Sequence, residues 1–153
     1  QDRTTQLAET VRNTSHELHP SVLDHGGLAA TLQRHCADLE ANHHVKVMFS
    51  ANDVDALKPD VALCLFRVAQ EALTNALRHA NATTIRVELR ATNDMVELRI
   101  QDDGIGFTRA SGSGLGLRSI DERVRLVSGT LTVESGPGQG TSLSVRIPVQ
   151  GSF

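Results

Sequence analysis

The chain reads as an α+β protein, a two-layer α/β sandwich, on three observations. Strand-like segments occur as sequence neighbours, helical segments separate those blocks, and the order is helix, strand, helix, hairpin, loop, helix, hairpin with no internal repeat. Adjacent strands with short connections pair as hairpins, so a doubly wound parallel sheet is not expected. With 153 residues, 39% of them hydrophobic and 22% charged, the chain is long enough for one domain that buries about 70% of its unfolded surface.

Each element has its own signal. Residues 1–18 carry Leu7, Val11, Ser15 and Leu18 at helical spacing, and Pro20 ends the run. After Gly26-Gly27, residues 27–42 place Leu28, Leu32, Cys36 (or Ala37) and Leu39 on one helical face. Val45, Val47 and Phe49 alternate with Lys46, Met48 and Ser50, as in a half-buried strand. Pro59 stands where helix starts favour proline, and 60–80 follows without another Pro or a Gly.

Two strands are expected next, at 84–91 with Ile85, Val87 and Leu89 inward and at 95–101 with Val96, Leu98 and Ile100 inward, turning at Asn93-Asp94. A glycine-rich loop covers 103–116, a short helix 117–128, and a second hairpin 130–135 and 141–147.

Composition removes several function classes. Net charge is −3 and the chain has neither Trp nor Tyr, so the basic footprint and stacking rings of a nucleic-acid binder are missing. Cys36 and Cys64 are too few and too far apart for a disulfide framework or a four-ligand zinc site; buried thiols in a reducing compartment are expected. No apolar run approaches the ~20 residues that span a bilayer, and no signal-peptide core opens the chain. A soluble, cytoplasmic segment without direct membrane contact is expected, one that also suits the cytoplasmic end of a membrane-anchored receptor.

Glycine is unevenly spread. Gly104, Gly106, Gly112, Gly114, Gly116, Gly129, Gly136, Gly138 and Gly140 put nine of the twelve glycines between 104 and 140. Glycines mark turns, but three clusters at element ends also permit close approach of bare backbone to phosphate oxygens. A P-loop is excluded, because the only lysines, Lys46 and Lys58, follow no glycine-rich turn. A dinucleotide fingerprint is excluded too, because the run GSGLGL from Gly112 to Leu117 does not follow a strand directly.

The long helix supplies the complementary group. In the run QEALTNALRHA from Gln70 to Ala80, Glu71 and Asn75 are four apart, with Arg67 one turn earlier and Arg78 and His79 one turn later. All are expected on one polar face, opposite a packing stripe of Leu65, Val68 (or Ala69), Ala72, Leu73, Ala76 and Leu77. Such a stripe is ordinarily a solvated face. Asn is nevertheless a poor mid-helix residue, and its amide oxygen suits a hard cation such as Mg²⁺ that takes its other ligands from water and phosphates.

These residues resemble a family. QEALTNALRHA is similar to the asparagine box of the Bergerat-fold (GHKL) ATPases, Asp102-Asp-Gly-Ile-Gly106 to the first glycine box, DxGxG, GSGLGL to the second, and the run from Gly136 to Thr141 to the third. Four motifs in order span residues 70–141. The runs HPSVLDHGGLAATL and GLGLRSIDERVRLVSG, with a lid of only a few residues, resemble sensor histidine kinases of the nitrate-sensor-like class. The resemblance implies the Bergerat ATP-binding fold, a mixed and mostly antiparallel sheet on about three helices, and transfer of the ATP γ-phosphoryl to a histidine.

Carried over by residue, Asp102 is expected to accept from the adenine amino group with Thr141 beside it, Asn75 to hold Mg²⁺, and Glu71 to act as base or orient the nucleophile. Gly104 and Gly106 of the first glycine box, Gly112, Gly114, Leu115 and Gly116 of the second, and Arg78 and His79 are expected around the nucleotide. Implied partners are a dimerisation and phospho-acceptor domain and a response regulator.

Ser15-His-Glu-Leu18 looks like an acceptor box, yet the interval from His16 to Asn75 cannot hold a two-helix hairpin as well as an ATP-domain helix and strand. His16 and His19 are therefore expected on a solvated helix face. Residues 1–22 read as the end of a dimerisation helix plus linker and 23–153 as the ATP-binding domain, with no autophosphorylation expected in isolation. His43 and His44 are expected in a surface turn, and Asp121, Glu122, Arg123 and Arg125 on a solvated face. A serine kinase of the anti-sigma type, with the same fold, and a non-catalytic nucleotide- or protein-binding module are the alternatives. Acid-stable phosphoserine on a partner would mark the first, and absence of transfer the second.

Overall fold

The computed structural model of the chain describes residues 27–52, 57–78, 80–92, 94–107 and 116–149. The expected helix at 1–18, its two histidines, the domain division at 22 and residues 108–115 of the glycine-rich loop lie outside these. In chain order the elements are α1 (Gly27–Asn42), β1 (Lys46–Asn52), α2 (Pro59–Arg78), β2 (Thr84–Ala91), β3 (Met95–Asp102), α3 (Leu117–Leu126), β4 (Thr130–Ser135) and β5 (Thr141–Pro148).

The five strands form one sheet in the order β1-β2-β3-β5-β4. β1 and β2 run parallel, and the other three pairings are antiparallel. A parallel pair cannot be closed by a tight turn, and α2 provides the crossover between β1 and β2. β5 lies between β3 and β4, so the chain leaving β3 meets the turn that enters β5. That meeting point is where the site forms.

Period-two alternation sets the inner face. Ile85, Val87, Leu89, Val96, Leu98, Ile100, Leu143, Val145 and Ile147 are all 0–3% exposed. Fully burying each contributes about 1.5–3 kcal/mol. The outer face carries ion pairs such as Arg146–Glu97 (2.8 Å) and Arg90–Glu88 (2.9 Å). Exposed pairs of that kind contribute about 0–1 kcal/mol each, so the apolar layer decides which way the sheet faces.

α2 covers that layer. Ten of its twenty residues are buried, more than one stripe provides, because it packs on α1 and α3 as well as on the sheet. Leu28, Leu32 and Cys36 of α1 join the same core. The His35 and Phe66 rings meet edge-on across α1 and α2, with centroids 5.8 Å apart. Both thiols are buried as expected, and burial, with the Glu40 charge behind it, pushes the Cys36 thiol up to about 11.

Several expectations are corrected in detail. Cys36, not Ala37, is the buried member of its pair, and Leu39 is only half-buried. β1 starts one residue later than expected and extends to Asn52. α3 stops at Leu126 instead of 128, because Ser128 takes a left-handed conformation (φ 63°). The N–H groups of Ser128 and Gly129 then donate back to the carbonyls of Arg125 and Val124, which terminates the helix. Arg123, expected in solvent, is half-buried against α2, because it lies beside the buried Ile120 and Val124.

Candidate nucleotide-binding site

A cavity of about 240 Å³ opens between α2 and the ends of β3 and β5. α2 contributes Ala72, Asn75 and Ala76 to its wall, β3 contributes Ile100 and Asp102, and β5 contributes Thr141 and Leu143. Ile105, Gly106 and Phe107 close it from the loop after β3, and Leu117 closes it from the start of α3. The lining is apolar with a few converging polar groups, the usual character of a small-molecule site.

Asp102 continues the inward phase of Val96, Leu98 and Ile100, so a carboxylate ends an otherwise apolar row. It is half-buried, and burial raises its pKa above the usual value. The main-chain N–H groups of Gly104 and Thr141 oppose that shift, and the neighbouring Asp103 charge adds to it. The Gly104 N–H donates to Asp102 Oδ1 at 2.8 Å. A carboxylate held on an apolar wall by the Gly104 main-chain donor is poised to accept from a planar ligand's N–H group.

Asp103, next in sequence, points outward and does different work. Its carboxylate accepts from Thr83 N (2.8 Å), Thr83 Oγ1 (2.6 Å) and Thr84 N (3.0 Å). Led by the Thr83 hydroxyl, these donors hold its pKa below the ordinary carboxylate range. The bonds anchor the loop after β3 to the start of β2, and sequence reasoning did not foresee this role.

The first and third glycine boxes pack on each other. Gly106 takes φ 71°, and a Cβ there would collide with the Gly136 carbonyl. The Gly138 N–H donates to Ile105 O at 2.6 Å. Ser135, also not singled out from sequence, fastens the junction: its Oγ accepts from Phe107 N (2.9 Å) and lies 2.9 Å from both Gly140 O and Thr141 Oγ1. Its position as the last strand residue before a glycine box was the available signal.

The remaining expected residues divide. Asn75 lines the cavity together with Ala72 and Ala76, at the border of the packing stripe and not on the opposite face of α2. Glu71 is exposed, and its carboxylate lies against Gly116, the N-cap of α3. Gly116 takes φ 75° and no side chain caps the helix start, which leaves its N–H dipoles available to an anion. Gly104 stands behind Asp102, tight against the Ala80 main chain. Arg78 is exposed at the end of α2 and is not part of the cavity wall. His79, Gly112, Gly114 and Leu115 lie outside the described residues.

Residues 60–151 match the family of histidine kinase-, DNA gyrase B- and HSP90-like ATPases. The chain belongs to this family. Its members of this type bind ATP, so the chain is an ATP-binding domain of the GHKL fold. It is 38% identical over 151 residues to an uncharacterized sensor-like histidine kinase of Chloroflexus aurantiacus, covering 92% of this chain and 25% of that protein. It is 34% identical over 148 residues to the oxygen sensor histidine kinase NreB of Staphylococcus carnosus, covering 94% of this chain and 43% of that protein.

The chain thus spans less than half the length of these two GHKL relatives. Among solved structures, the histidine kinase domain of a blue-light activated histidine kinase from Erythrobacter litoralis superposes with a TM-score of 0.66 at 28% identity, covering 80% of this chain and 61% of that one. The ATP-binding domain of PrrB from Mycobacterium tuberculosis shares the fold, with a TM-score of 0.60 at 23% identity over 77% of this chain and 90% of that one. Among the described residues, no helix is long and apolar enough to cross a membrane.

Proposed function

We propose that this domain is the catalytic half of a cytoplasmic sensor histidine kinase: it binds ATP in the cavity between α2 and the β3–β5 junction and delivers the γ-phosphoryl to a histidine on a separate dimerisation domain. A response regulator's aspartate is the next acceptor. On this reading residues 1–22 are the end of a dimerisation helix with its linker. The supporting observation is that Asp102 at a strand end and Asn75 on the covering helix share one cavity, with the start of α3 at its edge.

In this assignment Asp102, with the Thr141 hydroxyl beside it, receives the adenine amino group, and Ile100, Ile105 and Leu143 cover the faces of the ring. The phosphates run toward Asn75 and the uncapped start of α3, where main-chain N–H groups stabilise negative charge. Asn75 fits Mg²⁺ as a neutral oxygen ligand. Such an ion takes its remaining ligands from phosphates and water. Bound there, the ion supplies charge neutralisation on the triphosphate. Glu71, exposed beside Gly116, orients the incoming imidazole or takes its proton. Phosphoryl transfer requires chiefly such positioning and neutralisation.

The test mixes the domain with labelled ATP and a separately made two-helix acceptor polypeptide. Acid-labile phosphate on the acceptor histidine supports the reading. Acid-stable phosphoserine on a protein partner, or ATP binding without transfer, overturns it.

A further inference from the structure

The seam between α2 and α3 holds two arginines that the site above does not use. Arg67 and Arg123 are both half-buried, one on each helix. The contact is pinned by the Cys64 thiol, which lies 3.6 Å from the Arg123 carbonyl oxygen. Arg67 Nε is shielded from solvent and has no hydrogen-bond partner. Burial and then the Arg123 charge lower the Arg67 pKa, so the two guanidiniums sense each other.

Nearby acids are committed elsewhere. On α3, Asp121 pairs with Arg125 at 3.0 Å and Glu122 with Arg118 at 3.7 Å. Glu71, one turn along α2 from Arg67, has its carboxylate against Gly116. Among the described residues neither Arg67 nor Arg123 has a carboxylate partner within ion-pair distance. Two like charges on packed helices repel one another, and a planar, bidentate oxyanion placed between them would relieve both the repulsion and the unpaired Nε–H.

We infer that Arg67 and Arg123 form a clamp for a carboxylate side chain on the acceptor-bearing polypeptide, docking it along the α2–α3 seam so that its histidine faces Glu71. The inference rests on the kinase reading above and names the surface through which the partner is recognised. Charge complementarity selects an acidic segment. The position of the seam, continuous with Glu71 and the start of α3, places that segment beside the end of the cavity assigned to the phosphates. Arg67 and Arg123 are positioning residues here and touch no reacting atom.

The test uses the acceptor hairpin as ligand and compares the wild-type chain with Arg67→Gln, Arg123→Gln, Arg67→Lys and the reversal Arg67→Glu. Hairpin affinity by titration, the acceptor KM and kcat, and ATP affinity are each measured. The glutamine variants are expected to weaken hairpin binding and raise the acceptor KM roughly tenfold or more, with ATP affinity and the kcat at saturating acceptor unchanged. Arg67→Lys restores part of the loss. Reversing the matching acidic residue of the hairpin to Arg rescues Arg67→Glu, a result that misfolding cannot imitate.

Unchanged hairpin binding in the glutamine variants overturns the clamp, as does wild type that does not bind the hairpin. A parallel fall in ATP affinity also overturns it and assigns the pair to the triphosphate. Wild type that binds the hairpin but transfers no phosphate removes the kinase reading, while the binding titrations still decide the clamp.

Discussion

Asp102 and Thr141 face each other as register partners across β3 and β5, and the nearby Thr141 main-chain N–H lowers the pKa of the carboxylate that the same pairing brings into the cavity. The strand pairing and the ligand site are therefore one structure. Any change that shifts β5 against β3 changes the donors around Asp102.

Asp102→Asn separates binding from stability. Loss of a charge-assisted hydrogen bond to the ligand costs about 1.5–3 kcal/mol, so ATP affinity should fall roughly tenfold to 150-fold. Stability should move the other way. Asp102 holds its proton more tightly in the folded state than in the unfolded one, so ionising it takes stability away as pH rises through the carboxylate range. An amide escapes that penalty. The variant should melt higher than wild type at neutral pH and equally at acid pH; a lower melting temperature at pH 7 would refute the burial argument.

Asp103→Asn should show the opposite sign. Its folded pKa is depressed, first by the Thr83 hydroxyl, so its contribution is present above the unfolded pKa and is lost as pH falls through the folded one. The variant should be less stable than wild type at neutral pH, and the difference should disappear in acid. Paired thermal melts across that range check this.

Gly116→Ala should cost about 1–2 kcal/mol for forcing a left-handed φ, read by denaturant unfolding. The new methyl group would also displace the Glu71 carboxylate. Transfer to the acceptor should therefore fall more than ATP affinity does. Equal losses in both would mean that Glu71 has no part in the transfer step.

Asn75→Ala should remove the Mg²⁺ dependence of ATP binding while leaving affinity for the nucleoside portion. Titrations with and without the ion, using ATP and adenosine, make the comparison. Persistent dependence would assign the ion to another ligand.

Much of this architecture is readable along the chain because its signals are local. The alternation of Ile85, Val87 and Leu89 and of Val96, Leu98 and Ile100 marks the hairpin, and the same phase extends to Asp102. Pro59 marks the start of α2, the first residue of the observed helix. The role of Asp103 is not readable and that of Ser135 is signalled only by its place before a glycine box, because their bonds to Thr83 and Phe107 join residues 20 and 28 apart in sequence. Arg123 reads as solvated on a polar short helix and becomes half-buried only because α2 is packed against that face.

By itself the amino-acid order determined the elements, their apolar faces and the residue types able to meet a nucleotide, since periodicity, proline and glycine act within a few residues. Only tertiary structure inserted β5 between β3 and β4, turned Asn75 into the same cavity as Asp102, and brought Arg123 close enough to Arg67 for its charge to be felt there. Those outcomes depend on which surfaces exclude water together. That choice is made by contacts between segments tens of residues apart, for which no local pattern codes.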